Sequence, residues 1–487
     1  MNVAHLLEAS ARYHRDRPAL VFGDRSWTYG ELDEQASILA GALADLGLAP
    51  GERVGLHLPN GPEFVLTYYA AQKAGLVPLS LNVTYARDEL AYIVNDAAVA
   101  AVVTAPAVAA GLPERAAVPS VRHLVQAGAL LRGGGKRRRA LDRDRDEPAA
   151  ILYTSATTGR PKGVMLTHAN IVSNAYATVH HLRMTAEDRG LCALPMFHCF
   201  GQNFIMNALV ASGGCLVLQE RFVPDAFLDA VARHRVTLFY GVPTMYILFL
   251  GGDWRRQLES VRLFFSAAAT LPADVESRWH ALYDRPIHQG YGLTECSPFA
   301  SYNHEVAWRP GSVGTPIENV EMRIVDEAGR PLPDGERGEI VIRGPNVMKG
   351  YFGQPEATAD AIRHGWLHSG DIGYRDGDGY YFLVDRVKDM INVAGFKVFP
   401  REVEEVLYRH PGVKEAAVVG VPDPVRGEAV KAFVVRAPGP AVEADELRAL
   451  CRQALAAYKV PEHVEFIEAL PKNPTGKILK KELRRRA

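Results

Sequence analysis

The stretch "YTSATTGRPKGVMLTH", Tyr153 to His168, follows the apolar run "AAIL", Ala149 to Leu152. An apolar run that breaks into hydroxyls and glycine reads as a strand ending in a loop. Thr154, Ser155, Thr157 and Thr158 offer hydroxyl groups, and Gly159 lets the backbone come close to a ligand. Such a loop suits phosphate. It lacks the GxxxxGK[ST] form of the common P-loop, and a Ser/Thr-rich turn with no ligand would look much the same. Ala156 stands where a third glycine-like residue is expected.

On both sides of this loop the chain alternates. "RVGLHLP" reads as a strand, "PEFVLTYYAAQKAG" as a helix and "LVPLSLN" as the next strand. Further on, "NFIMNALVASGG" precedes "CLVLQ", "PDAFLDAVARHR" precedes "VTLFYG", and "PADVESRWHALY" precedes "PIHQGYG". Helix-strand alternation of this kind predicts layered α/β structure with largely parallel sheets. The interval from about 105 to 147, with "GGGKRRRALDRDRDEP", reads as a solvated connector; a basic binding patch is the other reading. After about 310, "VEMRIVDEAGRPLPDGERGEIVIRG" and "GDIGYRDGDGYYFLVDR" read as hairpins. A final stretch of about 100 residues has its own α+β pattern. The reading is therefore an α/β protein. Its large N-terminal domain, 1–385, carries layered α/β subdomains and a β-rich subdomain. A small C-terminal α+β domain spans 386–487.

Bulk composition narrows the function. Lys+Arg is 55 and Asp+Glu is 56, so charge gives no reason to expect nucleic acid or an anionic membrane as the main partner. Cys192, Cys199, Cys215, Cys296 and Cys451 show no CxxC spacing, which suits a reducing compartment and neither a disulfide framework nor a zinc site. No apolar run is long enough to span a bilayer, and the N-terminus has no signal-peptide architecture. A cytoplasmic protein is expected, and monomer and homodimer are equally open.

Three further motifs carry chemistry. In "QGYGLTECSP", Gln289 to Pro298, an exposed Tyr291 between glycines can stack on a flat ring. There Thr294 can bond phosphate and Glu295 can hold Mg²⁺, a hard cation that prefers oxygen. In "WLHSGDIGY", Asp371 suits ribose hydroxyls, as acidic residues do in dinucleotide sites. In "PKNPTGKILKKEL", the turn Pro-Thr-Gly can present Lys477. Singly, an ordinary turn or a solvated basic tail explains each.

Four motifs in this order resemble the AMP-forming adenylating enzymes: acyl- and aryl-CoA synthetases, luciferases and peptide-synthetase adenylation domains. The resemblance covers essentially the whole chain, and "DRVKDMINVAGFKVFPREVEEVL" looks most like the fatty-acid and aryl-acid CoA ligases. It implies an enzyme that joins ATP·Mg²⁺ and a carboxylic acid into an acyl-adenylate, releases pyrophosphate, rotates its small domain and passes the acyl group to a thiol. It implies that Thr154, Ser155, Ala156, Thr157, Thr158 and Gly159 clasp the β- and γ-phosphates, with Lys162 in support. Gln289, Gly290 and Tyr291 frame the adenine, with Ala269 on its other side. Thr294 contacts the α-phosphate, Glu295 and Thr158 serve the magnesium, and Asp371 holds the ribose near Arg386. Lys477 matches the mobile lysine of the family, Lys388 the hinge, and Gly395 a glycine beside the thiol tunnel. Asn392 and Ala394 stand where plant aryl-acid ligases carry lysines.

The same resemblance bears on the acid. Amino-acid-activating relatives carry an aspartate where this chain has Cys199, so an α-amino acid is not expected. His198 matches a histidine near the carboxylate or tunnel mouth; a satisfied core histidine is the other reading. The tail of the acid is expected against "FYGVPTMY", with Tyr240 and Gly241, and "FFSAAATL". The acceptor is coenzyme A or the phosphopantetheine arm of a carrier protein.

Overall fold

The computed structural model describes residues 1–154, 160–439, 442–474 and 476–486. Two large sheets form the body. One runs in the order Gly350–Tyr351, Lys162–Thr167, Pro148–Thr154, Val77–Ser80, Arg53–His57, Ala101–Thr104, His123–Gln126. The other runs Thr315–Pro316, Phe299–Tyr302, Ile287–Gly292, Leu263–Ser266, Leu238–Gly241, Arg189–Cys192, Cys215–Leu218, Pro18–Phe22, Arg25–Thr28. Its inner strands are parallel and its ends antiparallel. The runs "CLVL", "LFYG" and "LFFS" are buried at every residue, as strands covered on both faces must be. Helices begin where the sequence supplies caps. Thr28 and Glu31 exchange bonds at the start of Tyr29–Asp45, and proline opens Pro62–Lys73 and Pro224–Arg233.

The segment "NFIMNALVASGG" is helical, but it opens as a wide π-type turn over Phe200–Asn207 before Ala208–Ser212. A β-carbon on Gly201 would press on the Pro195 carbonyl at 2.6 Å, so the wide turn lies against the chain entering it. Side chains along this segment bond into the core: Gln202 to Ser80, and Asn207 to Tyr68 and Tyr69.

The connector reading for 105–147 needs correction. It holds an edge strand, His123–Gln126, and a helix, Ala127–Gly133. The chain then lies along Tyr29–Asp45. The N–H of Arg138 donates to Ser37 O at 3.0 Å, and that of Leu141 to Lys73 O at 3.0 Å. Gly41 and Gly135 permit this close approach, because a β-carbon on either would strike backbone. The heads of Lys136 to Arg139 stay exposed. Beneath the strap, Lys73 is fully buried, with Glu8 at 2.6 Å and Asp33 at 2.8 Å.

A third sheet is antiparallel: Glu321–Val325, Gly338–Arg343, Trp366–Arg375, Ile362–Arg363, with Tyr381–Arg386 on Trp366–Arg375. One short turn, Val387–Asp389, separates it from a fourth sheet: Phe396–Val398, Ile391–Val393, Gly427–Arg436, Val413–Asp423, with His463–Phe466 alongside. The alternate faces of the two long strands build separate cores. Val418, Val430 and Val434 pack with Val403 and Leu447; Val419, Phe433 and Val435 pack with Leu470 and Leu483. The fold is thus a large α/β body with a small C-terminal α+β unit.

Candidate active site

Three elements of the body meet one loop of the small unit. The strand Ile287–Gly292 ends in a tight passage: a β-carbon on Gly290 would strike the Phe265 ring, and one on Gly292 the Pro298 carbonyl. Tyr291 between them is buried, not exposed as its glycine neighbours suggested. Its hydroxyl donates to Asp371 Oδ2 at 2.8 Å. Asp371 faces Arg386 across the ladder of Trp366–Arg375 and Tyr381–Arg386, and Arg386 Nε lies 3.0 Å from Asp371 Oδ1. Both carboxylate oxygens are therefore held, which fixes the group for a diol.

Glu295 behaves differently. It sits in the turn Thr294–Cys296, directly after Thr294 at the rim. Its backbone carbonyl takes the Met348 N–H at 2.8 Å, and Oε1 takes the Tyr351 hydroxyl at 3.0 Å. Burial raises its pKa, and the bonds and the Arg386 charge only partly offset this. A half-buried carboxylate with one side-chain donor could take a hard cation. Among the described residues there is no group of three or more His, Cys, Asp or Glu that could hold a metal. Lys162 stands over the Tyr351 ring at 4.8 Å. Tyr351 was not expected from sequence; only its pairing onto Lys162–Thr167 brings it here.

Thr154 and Lys162 pair as the last rung of their hairpin. Ser155, Ala156, Thr157, Thr158 and Gly159, and with them the expected phosphate clasp, lie outside the described residues. The flanks are braced by residues that the sequence did not single out. Tyr153 donates to Asp96 Oδ2 at 2.5 Å, Tyr92 donates to Pro161 O at 3.2 Å, and Arg160 covers the Tyr92 ring at 5.1 Å.

Lys477 reaches the site from the small unit. Its N–H donates to Asn473 Oδ1 at 2.8 Å, closing a turn in which Gly476 takes φ +80°. A β-carbon on Gly476 would lie 3.1 Å from Val242 Cγ2 and 3.2 Å from Thr244 Oγ1, so the turn rests on the body. Burial, with Arg386 and Lys388 close by, pushes the Lys477 pKa down to about 8 despite Asp371 and Asp389. Burial and the Lys477 charge push His198 down to about 4, so the imidazole is neutral at pH 7. Positive charge gathers here as it would for an anion.

Other expected residues fall less simply. Ala269 is half-buried in the loop after Leu263–Ser266, beside Ala268 at φ +67°. The Gln289 side chain turns away from the rim and takes the Leu271 N–H at 3.4 Å. Cys199 is fully buried; Asn203 donates to its sulfur, and burial raises its pKa well above the thiol range. Tyr240 is likewise buried, its ring beside Phe204 and Phe265. Phe239, Tyr246 and Phe264 also pack inward, Tyr246 and Phe264 directly on Trp279. Gly241 lies against the Tyr246 ring. His198 and the residues from Ala267 to Thr270 are half-buried. Lys388 is exposed in the turn between the third and fourth sheets. Gly395 sits away from the site in an exposed hairpin turn, where φ +89° demands glycine and Asn392 Oδ1 takes its N–H at 2.9 Å.

A carboxylate held at both oxygens, a second carboxylate that accepts from one hydroxyl, and a lysine carried by a separate unit make up the candidate site. Residues 7–352 match the AMP-binding enzyme family and residues 402–477 its C-terminal domain, and the chain belongs to that family. It is 41% identical to a feruloyl-CoA synthase of Amycolatopsis sp, over 98% of this chain and 97% of the relative. It is 35% identical to a long-chain-fatty-acid–CoA ligase of Bacillus subtilis, over 98% and 93%. Among solved structures, ATP-bound MatB from Rhodopseudomonas palustris superposes with a TM-score of 0.93 at 34% identity, over 100% of this chain and 99% of that one. Apo MatB gives 0.82 over the same coverage, so the arrangement here is closer to the nucleotide-bound one.

Proposed function

We propose that the acid activated here is an aryl acid resembling ferulate, and that the acceptor thiol is coenzyme A. The chain is an AMP-forming acyl-CoA synthetase: ATP activates a carboxylic acid, and the acyl group passes to CoA. What supports the reading of the site is that the Lys477 turn of the small unit rests on the body at Val242 and Thr244, where Asp371 and Arg386 act on the Lys477 charge. Asp371 and Tyr291 would hold the ribose and Gly290 would flank the base. Glu295 would hold Mg²⁺, which offsets charge on the phosphates. Carboxylate attack on the α-phosphorus brings two anions together; Lys477 sits where one cation can face both and relieve that repulsion in the transition state. The small unit, taken as 386–487, then turns about Lys388, withdrawing Lys477 and bringing Gly395 to the thiol path.

An aryl acid is favoured by the higher identity to the feruloyl-CoA synthase, 41% against 35% for the fatty-acid ligase. The buried Cys199 leaves no acid to pair with a substrate ammonium. No helix is long and apolar enough to cross a membrane, and we place the enzyme in the cytoplasm. The test is acid-dependent pyrophosphate release across aryl, fatty and amino acids, with CoA or a holo-carrier protein as acceptor. Ferulate-like acids with CoA are expected to give the highest kcat/KM. Preference for a fatty acid, or for the carrier protein, would overturn the assignment of acid or of acceptor.

A further inference from the structure

Two helices at the junction of body and small unit start without a cap of their own. Ala273–Tyr283 follows Pro272, and Pro400–Tyr408 follows Phe399; neither preceding side chain accepts a bond from the helix. The caps come from across the junction. Glu405 Oε2, on the small unit, takes the Ala273 N–H at 3.1 Å. Asp385 Oδ2, before the Val387–Asp389 turn, takes the Arg401 N–H at 2.9 Å. A carboxylate at a helix N-terminus satisfies a free donor and meets the positive end of the helix dipole.

One ion pair reinforces this seat. Arg337, from a turn of the third sheet, lies 2.6 Å from Glu402 and also covers the Phe399 ring at 5.8 Å. Glu402 has a second partner within its own unit, Lys459 at 2.6 Å. It therefore stays paired if the seat opens, which lowers the barrier to leaving. The helix Pro400–Tyr408 is thus held from both sides, and the same unit carries the Lys477 turn.

We infer that Glu405, Arg337 and Glu402 are positioning residues for adenylation: they act on Lys477 through the seat of the small unit, and so set the ratio of the two half-reactions. The inference rests on the acid–CoA ligase reading above. None of the three touches the Asp371, Glu295 and Lys477 cluster directly. The Glu405–Ala273, Asp385–Arg401 and Arg337–Glu402 contacts join the two sides of the turn at Lys388, so a rotation about it strains or breaks them.

The test uses the full chain with Glu405→Ala, Arg337→Ala and the double variant. Pyrophosphate release from ATP and acid is timed in a single turnover. Thioester formation is timed separately, from supplied acyl-adenylate and CoA. The ratio of the first rate to the second is expected to fall about three- to tenfold in the double variant, the scale of a lost helix cap and an exposed ion pair. Glu405→Gln and Arg337→Lys, which keep an acceptor and a cation, are expected to restore much of it. Proteolysis of segment 386–392 needs no substrate and is expected to run faster in the Ala variants. An unchanged ratio with unchanged proteolysis overturns the inference, whether the two rates fall together or hold. A wild-type chain that releases no pyrophosphate with any acid overturns the ligase reading instead, and proteolysis still decides whether the seat exists.

Discussion

Lys73 and Lys477 are lysines in different surroundings, the first fully buried and the second half-buried. Lys73 lies under the N-terminal helices with two carboxylates within 3 Å, Glu8 and Asp33. The charges acting on Lys477 include two further cations, Arg386 and Lys388, and its pKa falls to about 8. A buried cation neutralised by its own chain is part of the scaffold. A half-buried cation with other cations beside it can take a bound anion as a further partner. The scaffold lysine belongs to the body; the other is carried by the separate small unit.

The comparison can be broken at either end. Lys73→Met leaves two carboxylates without their cation and is expected to cost about 3–5 kcal/mol of folding stability, read from denaturant unfolding. The folded fraction should keep the normal ratio of half-reactions. Lys477→Ala should do the reverse. Adenylation falls by about 10²–10³ in single turnover, transfer from a supplied adenylate is spared, and the melting temperature holds. Equal loss of both half-reactions would remove Lys477 from its role.

Smaller effects sharpen the contrast. Lys388→Pro fixes φ in the turn between the sheets and should spare adenylation while slowing thioester formation by about tenfold or more. The Lys477 ammonium is the active form, so it is full below pH 8 and empties above it. In the wild type, kcat/KM for ATP should be level below pH 8 and fall by about tenfold per unit well above it. That limb should vanish in Lys477→Ala. Ala156→Gly should change the KM for ATP by less than about twofold, since Thr154 to Thr158 keep their hydroxyls and Gly159 is present.

What the sequence made legible was what lies close together along the chain. Thr294 and Glu295 share a turn, Asp371 stands in a hairpin, and Lys477 follows Pro-Thr-Gly; each carries a local signal. The alternating runs likewise gave the α/β body, because full burial of parallel strands leaves continuous apolar segments. What escaped depends on pairing between distant strands. Tyr351 reaches Glu295 only because Gly350–Tyr351 joins the edge beside Lys162–Thr167. Asp96 meets Tyr153 across 57 residues. The same blindness produced the errors. Tyr291 between glycines looked exposed, yet Asp371 draws it inward. The charged strap at 134–143 looked solvated, yet its backbone lies on a helix.

The central claim is that the acid's carboxylate attacks the α-phosphorus of ATP and its thioester is made from the adenylate. The direct measurement supplies acid with heavy oxygen in its carboxylate, together with ATP and CoA, and weighs the products. One labelled oxygen is expected in AMP for each thioester formed, because the bridging oxygen leaves with the nucleotide when the thiol attacks. Label in inorganic phosphate, with ADP as the nucleotide product, would contradict it.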